Sequence, residues 1–319
     1  MTGRGSTYLF FGYGAGSEYV LTPLADRMAR LGHTVVELDL MATHDPDKVL
    51  KGLIGREVVF VTSAHLFLDH HNMHRIYRQP GRAVSALEVM DLLQPARSYY
   101  YPHDLVTPVL DEDSRWLSLF DALLSPLPHL GHLERFTRVV EVGWVKKTKW
   151  LTPRPANRPP RIVHTLSNFS HFRSMGLDRM YEFWRPLWEL GVEVKLPYWP
   201  GSDECEAYLK ERSIGVVPAA TPIFDLLDQC DVAITNGNSS VNVEASLSGR
   251  STINILDATL PKTVLQRSLA GFPGLQVLSV DQGAAAVYEI VQGRRVLPLH
   301  DDRLHPFDFD TAIQTVTRA

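Results

Sequence analysis

Short runs of nearly unbroken apolar residues, among them Tyr8–Phe11 (YLFF), Val58–Thr62 (VVFVT) and the strand inside Asp231–Thr235 (DVAIT), constrain the fold more than any other feature of this chain. A strand reads as a continuous hydrophobic run when both its faces are covered, whereas a half-exposed strand alternates. Helix-spaced segments separate the runs. Tyr19–Leu31 is one of them, ended by Gly32, where a positive φ closes a helix. Strand, helix and strand in succession demand a parallel sheet with helices laid over it.

The first half predicts strands at Tyr8–Phe11, Thr34–Leu38, Val58–Thr62, Ser98–Tyr101, Ala122–Leu124 and Val139–Val142, with a turn at Gly12–Gly16 and a helical stretch around Trp116–Phe120. Leu151–Arg161 (LTPRPANRPPR) then follows neither period. It is proline-rich and basic, as an interdomain linker is. Alternation restarts after it, with strands at Arg161–Thr165, Val192–Leu196, Gly215–Pro218, Asp231–Thr235, Ser251–Ile255 and Leu275–Val280. Helices are expected at Gly176–Leu190, Asp203–Glu211, around Leu226, Leu227 and Cys230, after Ser240, around Val264–Leu269 and at Gly283–Val291. The expectation is two doubly wound α/β domains, 1–150 and 162–319, joined by the 151–161 linker and closing over a central cleft.

Composition fits. A chain of 319 residues with 45% hydrophobic and 21% charged residues can bury two cores. Its net charge of −4 argues against a protein that coats nucleic acid generally. Cys205 and Cys230 form neither a zinc framework nor a disulfide scaffold, which points to a reducing, cytoplasmic setting. No run reaches the 18 apolar residues of a membrane span, and Tyr8–Gly16 reads as a core strand rather than a leader.

Chemistry concentrates in Asp225–Ile255. Asn236–Ser240 is a run of small polar residues between a buried strand and a helix, where backbone N–H groups approach an anion of diphosphate size. The plainer alternative is a capped helix, with Asn or Ser as N-cap and Glu244 as capping-box partner. His65, Asp69, His70, His71 and His74 cluster in ten residues, but no third ligand has clear metal spacing, and no metal is expected. Lys146–Arg173 holds Lys146, Lys147, Lys149, Arg154, Arg158, Arg161 and Arg173 without an acid, interleaved with Trp150, Phe169 and Phe172. That stretch suits phosphates, nucleic acid included, or is solvated linker charge.

These residues resemble the GT-B fold of nucleotide-sugar glycosyltransferases, to which nucleotide-sugar 2-epimerases are related in architecture. The specific likeness is Ile234, the Asn236–Ser240 loop, Glu244 with Ala245, Gly249 and Thr252–Ile255. The resemblance implies a nucleoside-diphosphate sugar as donor and no cofactor. It places the diphosphate on Asn236, Gly237, Asn238, Ser239 and Ser240, with Glu244 on the ribose or sugar. Gly14 and Gly16 of the first loop, and Ser167, Asn168 and Ser170 after the second domain's first strand, would complete the donor pocket. Pro218 to Ile223 would cradle the nucleobase, and Arg173 or Lys195 would neutralise the leaving diphosphate.

Many inverting members carry a histidine in the loop after their first strand, and Gly12–Gly16 has none. A base is therefore sought at His65, at His103 with Asp104, or at Glu18. Neither a complete GxGxxG nor a Walker pattern is present, which argues against NAD and ATP. The function expected is transfer of a sugar to a hydroxyl acceptor. The alternatives are an epimerase or CDP-alcohol phosphotransferase, or a non-catalytic nucleotide-sugar or nucleic-acid binding module.

Overall fold

A computed structural model describes residues 5–12, 20–40, 43–63, 85–105, 114–127, 131–152, 158–167, 174–197, 201–237, 239–255, 272–295 and 300–318. The chain forms two compact units, Met1–Thr148 with His305–Ala319, and Lys149–Leu304.

The first unit is built on β1 (Thr7–Gly12), β2 (Thr34–Asp39), β3 (Val58–Thr62), β4 (Arg97–Tyr100), β5 (Ala122–Ser125) and β6 (Arg138–Glu141). Their order is β2-β1-β3-β4-β5-β6, and every neighbouring pair is parallel. β1, β3 and β5 are buried along their whole length, whereas the edge strands β2 and β6 are largely exposed or half-buried. This is the difference between central and edge strands that the apolar runs encode.

Helices α1 (Thr22–Arg30), α2 (Pro46–Lys51) and α3 (Ala86–Leu93) lie between the strands. α1 starts with proline in its first turn, where a missing N–H breaks no helical bond, and buries Leu24, Ala25 and Met28. Asp45 caps α2 through the Lys48 N–H at 3.0 Å, and Ser85 with Glu88 forms a capping box on α3. The expected helix near Trp116 is a 3-10 turn, Arg115–Leu119.

The second unit contains β7 (Ile162–Thr165), β8 (Glu193–Lys195), β9 (Val216–Val217), β10 (Val232–Asn236), β11 (Ser251–Ile255) and β12 (Leu275–Leu278). Helices α4 (Leu177–Trp188), α5 (Ser202–Glu211), α6 (Ile223–Gln229), α7 (Val241–Leu247) and α8 (Val280–Val291) accompany them. The strand order is β12-β11-β10-β7-β8-β9, again all parallel. α4 packs on α8, and Trp184 and Trp188 are buried in the core, so the aromatic segment Tyr181–Trp188 is packing. The helix expected around Val264–Leu269 lies outside the described residues.

The chain's end corrects the expected domain limits. Helix α9 (Phe309–Thr317) packs on α1 of the first unit and buries Ala312, Ile313 and Val316. Trp144 N–H donates to the His305 carbonyl at 2.9 Å, and Asp308 N–H to the Val142 carbonyl at 2.7 Å. Gly143, between them, has φ +74°, and a Cβ there would lie 2.3 Å from the Pro306 oxygen. The second unit therefore ends at Leu304 rather than residue 319. The 151–161 segment also differs from a free linker at its start. Leu151 is buried and its N–H donates to Asp302 at 2.9 Å, while Thr152 N–H donates to Asp228 at 2.8 Å.

Candidate active site

Numbered from β7, the second sheet has the order 3-2-1-4-5-6, so the winding direction reverses between β7 and β10. At such a switch point the loops leaving adjacent strands diverge to opposite faces and leave a crevice at the carboxyl edge, where ligands bind in open α/β sheets. Leu166 and Ser167 follow β7, and Gly237 follows β10. The Asn236–Ser240 loop thus stands at the position where the topology opens the sheet.

Buried amides and hydroxyls hold that edge. Asn236 is fully buried; its Oδ1 accepts from Ser167 N–H at 2.8 Å, and its Nδ2 donates to the Ser167 carbonyl at 2.9 Å. Ser167 Oγ donates in turn to the Asn236 carbonyl. These two residues were expected to touch the diphosphate, but both side chains are engaged with each other and tie the two loops together. His164 Nε2 lies 3.3 Å from Asn236 Oδ1, and its Nδ1 accepts from Trp188 Nε1–H at 3.0 Å. An accepting Nδ1 leaves the proton on Nε2. Burial lowers the His164 pKa to about 4, against the raising effect of Asn236, so the ring is neutral near pH 7.

Glu244, expected on the ribose, is 1% exposed and lies within the unit. Ser240 caps α7 without a side-chain hydrogen bond, so it does not form the alternative capping box with Glu244. The first-turn N–H groups of Asn242, Val243 and Glu244 bond to Ser239 and Ser240 carbonyls at 2.9–3.1 Å, and Val241 N–H to Ser239 Oγ at 3.3 Å. Donors for an anion must therefore come from the loop before Val241.

Lys195 ends β8, one strand from β7. Its ammonium is half-buried, donates to the Ala219 carbonyl at 2.7 Å, and has no carboxylate ion pair among the described residues. Burial lowers its pKa from the ordinary lysine value. Pro218 is exposed and its carbonyl accepts from Thr221 N–H at 2.9 Å, while Ile223 opens α6 and is half-buried.

In the first unit, His103 and Asp104 follow β4. Adjacent residues usually diverge, yet here His103 Nε2 and Asp104 Oδ2 are 3.1 Å apart, both partly exposed. Burial by itself would lower the His103 pKa; the Asp104 carboxylate and a hydrogen bond to the Ser63 backbone outweigh burial and the opposing Lys146 charge, so the net shift is upward. Ser63 follows β3, so the imidazole sits at the carboxyl edges of β3 and β4. Gly14, Gly16, Glu18, His65, Asn168, Ser170, Arg173 and Asn238 lie outside the described residues, as does the His65–His74 cluster. Among the described residues no group of three or more His, Cys, Asp or Glu is placed to hold a metal ion.

Three cations of the basic stretch pair with acids within the second unit. Lys149 pairs with Asp228 at 2.8 Å, and Arg158 with Asp231 at 4.0 Å. Arg161 makes a bidentate contact with Glu193 at 2.6 and 3.0 Å. Lys147 is 1% exposed, and the Lys146 ammonium sits 5.3 Å from the Trp144 ring centre. Three of the cations thus have separate acidic partners, while Arg154 and Arg173 lie outside the described residues.

The sequence reading missed His164, Thr235, Asn242 and Asn254. All four are buried polar residues on or beside apolar strands, and that is the sign that would have found them, since a buried polar side chain must have hydrogen-bond partners.

Two parallel Rossmann-like units with this topology define the GT-B class of fold, shared by nucleotide-sugar glycosyltransferases and UDP-sugar 2-epimerases. Among solved structures, the chain resembles S. aureus MnaA, solved with UDP (TM-score 0.55, 11% identity, 98% of this chain and 96% of that one). It also resembles a putative UDP-N-acetylglucosamine 2-epimerase from Listeria monocytogenes (0.52, 12%, 94% and 93%) and the glycotransferase of kitacinnamycin (0.51, 18%, 90% and 91%). Identities this low establish the fold alone. No protein-family model and no curated protein matches the chain. No helix among the described residues is long and apolar enough to cross a membrane.

Proposed function

We propose that this chain is a glycosyltransferase that moves a sugar from a nucleoside-diphosphate sugar to a hydroxyl acceptor, without a metal ion or other cofactor. The second unit holds the donor and the first supplies the base. The observation that carries this reading is the coincidence of the β7/β10 switch point with the small-residue loop Asn236–Ser240.

In this reading the diphosphate lies along the carboxyl edge, against loop N–H groups and Lys195. The anomeric C–O bond to the diphosphate breaks as the acceptor oxygen attacks, and His103 takes the acceptor's proton. Lys195, half-buried and without an acidic partner among the described residues, offsets the charge that develops on the departing diphosphate.

The test is thermal stabilisation by UDP, GDP, CDP, dTDP, ADP and their sugars, beside Lys195→Met. A ligand at 100 times its Kd adds about 2.7 kcal/mol, a shift of several degrees. The expected result is one preferred nucleotide whose shift shrinks in Lys195→Met. No shift with any of them overturns the reading. Product analysis with the preferred sugar then separates transfer, in which free nucleoside diphosphate accumulates, from epimerisation, in which a second nucleotide sugar appears.

A further inference from the structure

We infer that the cavity between α1 and α9 is a binding site for a small zwitterion with an apolar side chain, such as a free amino acid or a short peptide, whose anion meets Arg27 and Arg30 and whose ammonium meets Asp308 and Asp310. The site stands apart from the nucleotide-sugar reading, because none of these residues belongs to the expected donor or base set.

The cavity has a volume of about 450 Å³ and is lined by Arg27, Arg30, Phe307, Asp308, Phe309 and Asp310, all of the first unit. Small-molecule sites span roughly 300–1,000 Å³. Arg27 and Arg30 stand three residues apart in the last turn of α1, so they project from one face of that helix. Asp308 and Asp310 stand at the start of α9. One wall is therefore cationic and the other acidic.

Opposite charges attract, yet these do not meet. Among the described residues no ion pair joins either arginine to either aspartate, although all four line the same space. Bonds within each helix hold the walls apart. Arg30 Nε donates to the Asp26 carbonyl at 3.3 Å. Asp308 accepts from Thr311 N–H at 3.0 Å and from Thr311 Oγ1–H at 2.7 Å, and these bonds hold its carboxyl below the ordinary value, so it is charged near pH 7.

Helix dipoles account for each pair singly, with cations at the carbonyl end of α1 and acids at the amide end of α9. They do not account for two guanidiniums on one helix face without an acid between them, since like charges at this spacing repel. Nor do they account for the rings in the same cavity. Phe307 and Phe309 meet edge to face with centroids 4.8 Å apart, and both are only half-buried, which leaves apolar surface for a ligand side chain to cover. A ligand that spans the two walls also joins the two pieces of the first unit, so its binding holds α9 in place.

The experiment titrates the full chain calorimetrically with L-phenylalanine and L-leucine, beside glycine, N-acetyl-L-phenylalanine, L-phenylalanine amide and glycyl-phenylalanine. The variants are Arg27→Gln and Asp310→Asn. Both side chains are exposed, so both variants should melt within a few degrees of wild type. Expected is binding of phenylalanine or leucine, weaker binding of glycine, and a loss of about tenfold or more for each analogue that lacks one charge, the worth of one charge-assisted hydrogen bond. Each variant should lose the same factor, and the α9 amides of the wild-type protein should exchange more slowly with ligand present. Tighter binding of phenylalanine than of the dipeptide identifies a free amino acid as the occupant, and the reverse order a peptide. Binding of none of the zwitterions overturns the inference, as does binding that neither variant weakens. N-acetyl-L-phenylalanine bound as tightly as phenylalanine also overturns it, because the acidic wall then recognises nothing.

Discussion

Gly143→Ala should release the C-terminal segment from the first unit. At φ +74° any L-residue carries a backbone cost of about 1–2 kcal/mol. The new methyl would also lie 2.3 Å from the Pro306 oxygen and 2.8 Å from the His305 oxygen, where real contacts are no closer than 3.0 Å. The segment must retreat, and the bonds from Trp144 N–H to the His305 carbonyl and from Asp308 N–H to the Val142 carbonyl stretch with it. Losing both adds about 1–3 kcal/mol, so the total is about 2–5 kcal/mol. Gly55→Ala is the matched control, with φ +77° and nothing within 4 Å of a Cβ, and should cost the backbone component alone. Urea denaturation gives both values, and hydrogen exchange reports the α9 amides. Equal destabilisation by the two substitutions, or α9 amides as protected in Gly143→Ala as in wild type, would refute the reasoning.

Two pH effects follow from named groups. If His103 is the base, kcat/KM falls as pH drops below its raised pKa, and Asp104→Asn, which removes the partner holding the proton, moves that acid limb to lower pH; an unmoved limb rules out the pair. His164 is held at about 4 in the folded state against an ordinary value near 6.5 when unfolded. Between those values the unfolded chain binds the proton and the native chain does not, so acidification through this window removes up to about 3 kcal/mol of stability. In His164→Gln the loss across the same window should be smaller by that amount, read from urea midpoints at a series of pH values.

Strands were legible because burial on both faces leaves no alternation to misread. β3 and β11 match their expected limits residue for residue, and the others agree within a residue or two. α2, α3 and α9 were not foreseen. They are six to nine residues long, too short for a firm helical period, although Asp45, Ser85 and Asp308 each carry a capping pattern. Sequence also cannot say which core a C-terminal segment will cover, so residues 305–319 were grouped with the domain that precedes them in the chain. The site loop was legible as residue types between a strand and a helix. The direction of each side chain was not: Asn236 and Ser167 have the chemistry of ligand contacts and are engaged in holding two loops together. The polar positions in IVHT and STINI, His164 and Asn254, were visible all along as exceptions within apolar strands.

The return of α9 makes the second unit, in covalent terms, an insertion within the first. Lys149–Leu304 is one uninterrupted stretch, whereas the first unit is made of two pieces separated by all of it. On a ribosome, which releases the chain from its N-terminus, residues 1–148 emerge first but wait for the last fifteen to cover α1. The unit synthesised second has all its own residues before the unit synthesised first. The part of α1 that α9 covers is therefore bare for longest during synthesis, and a chain truncated before His305 never covers it.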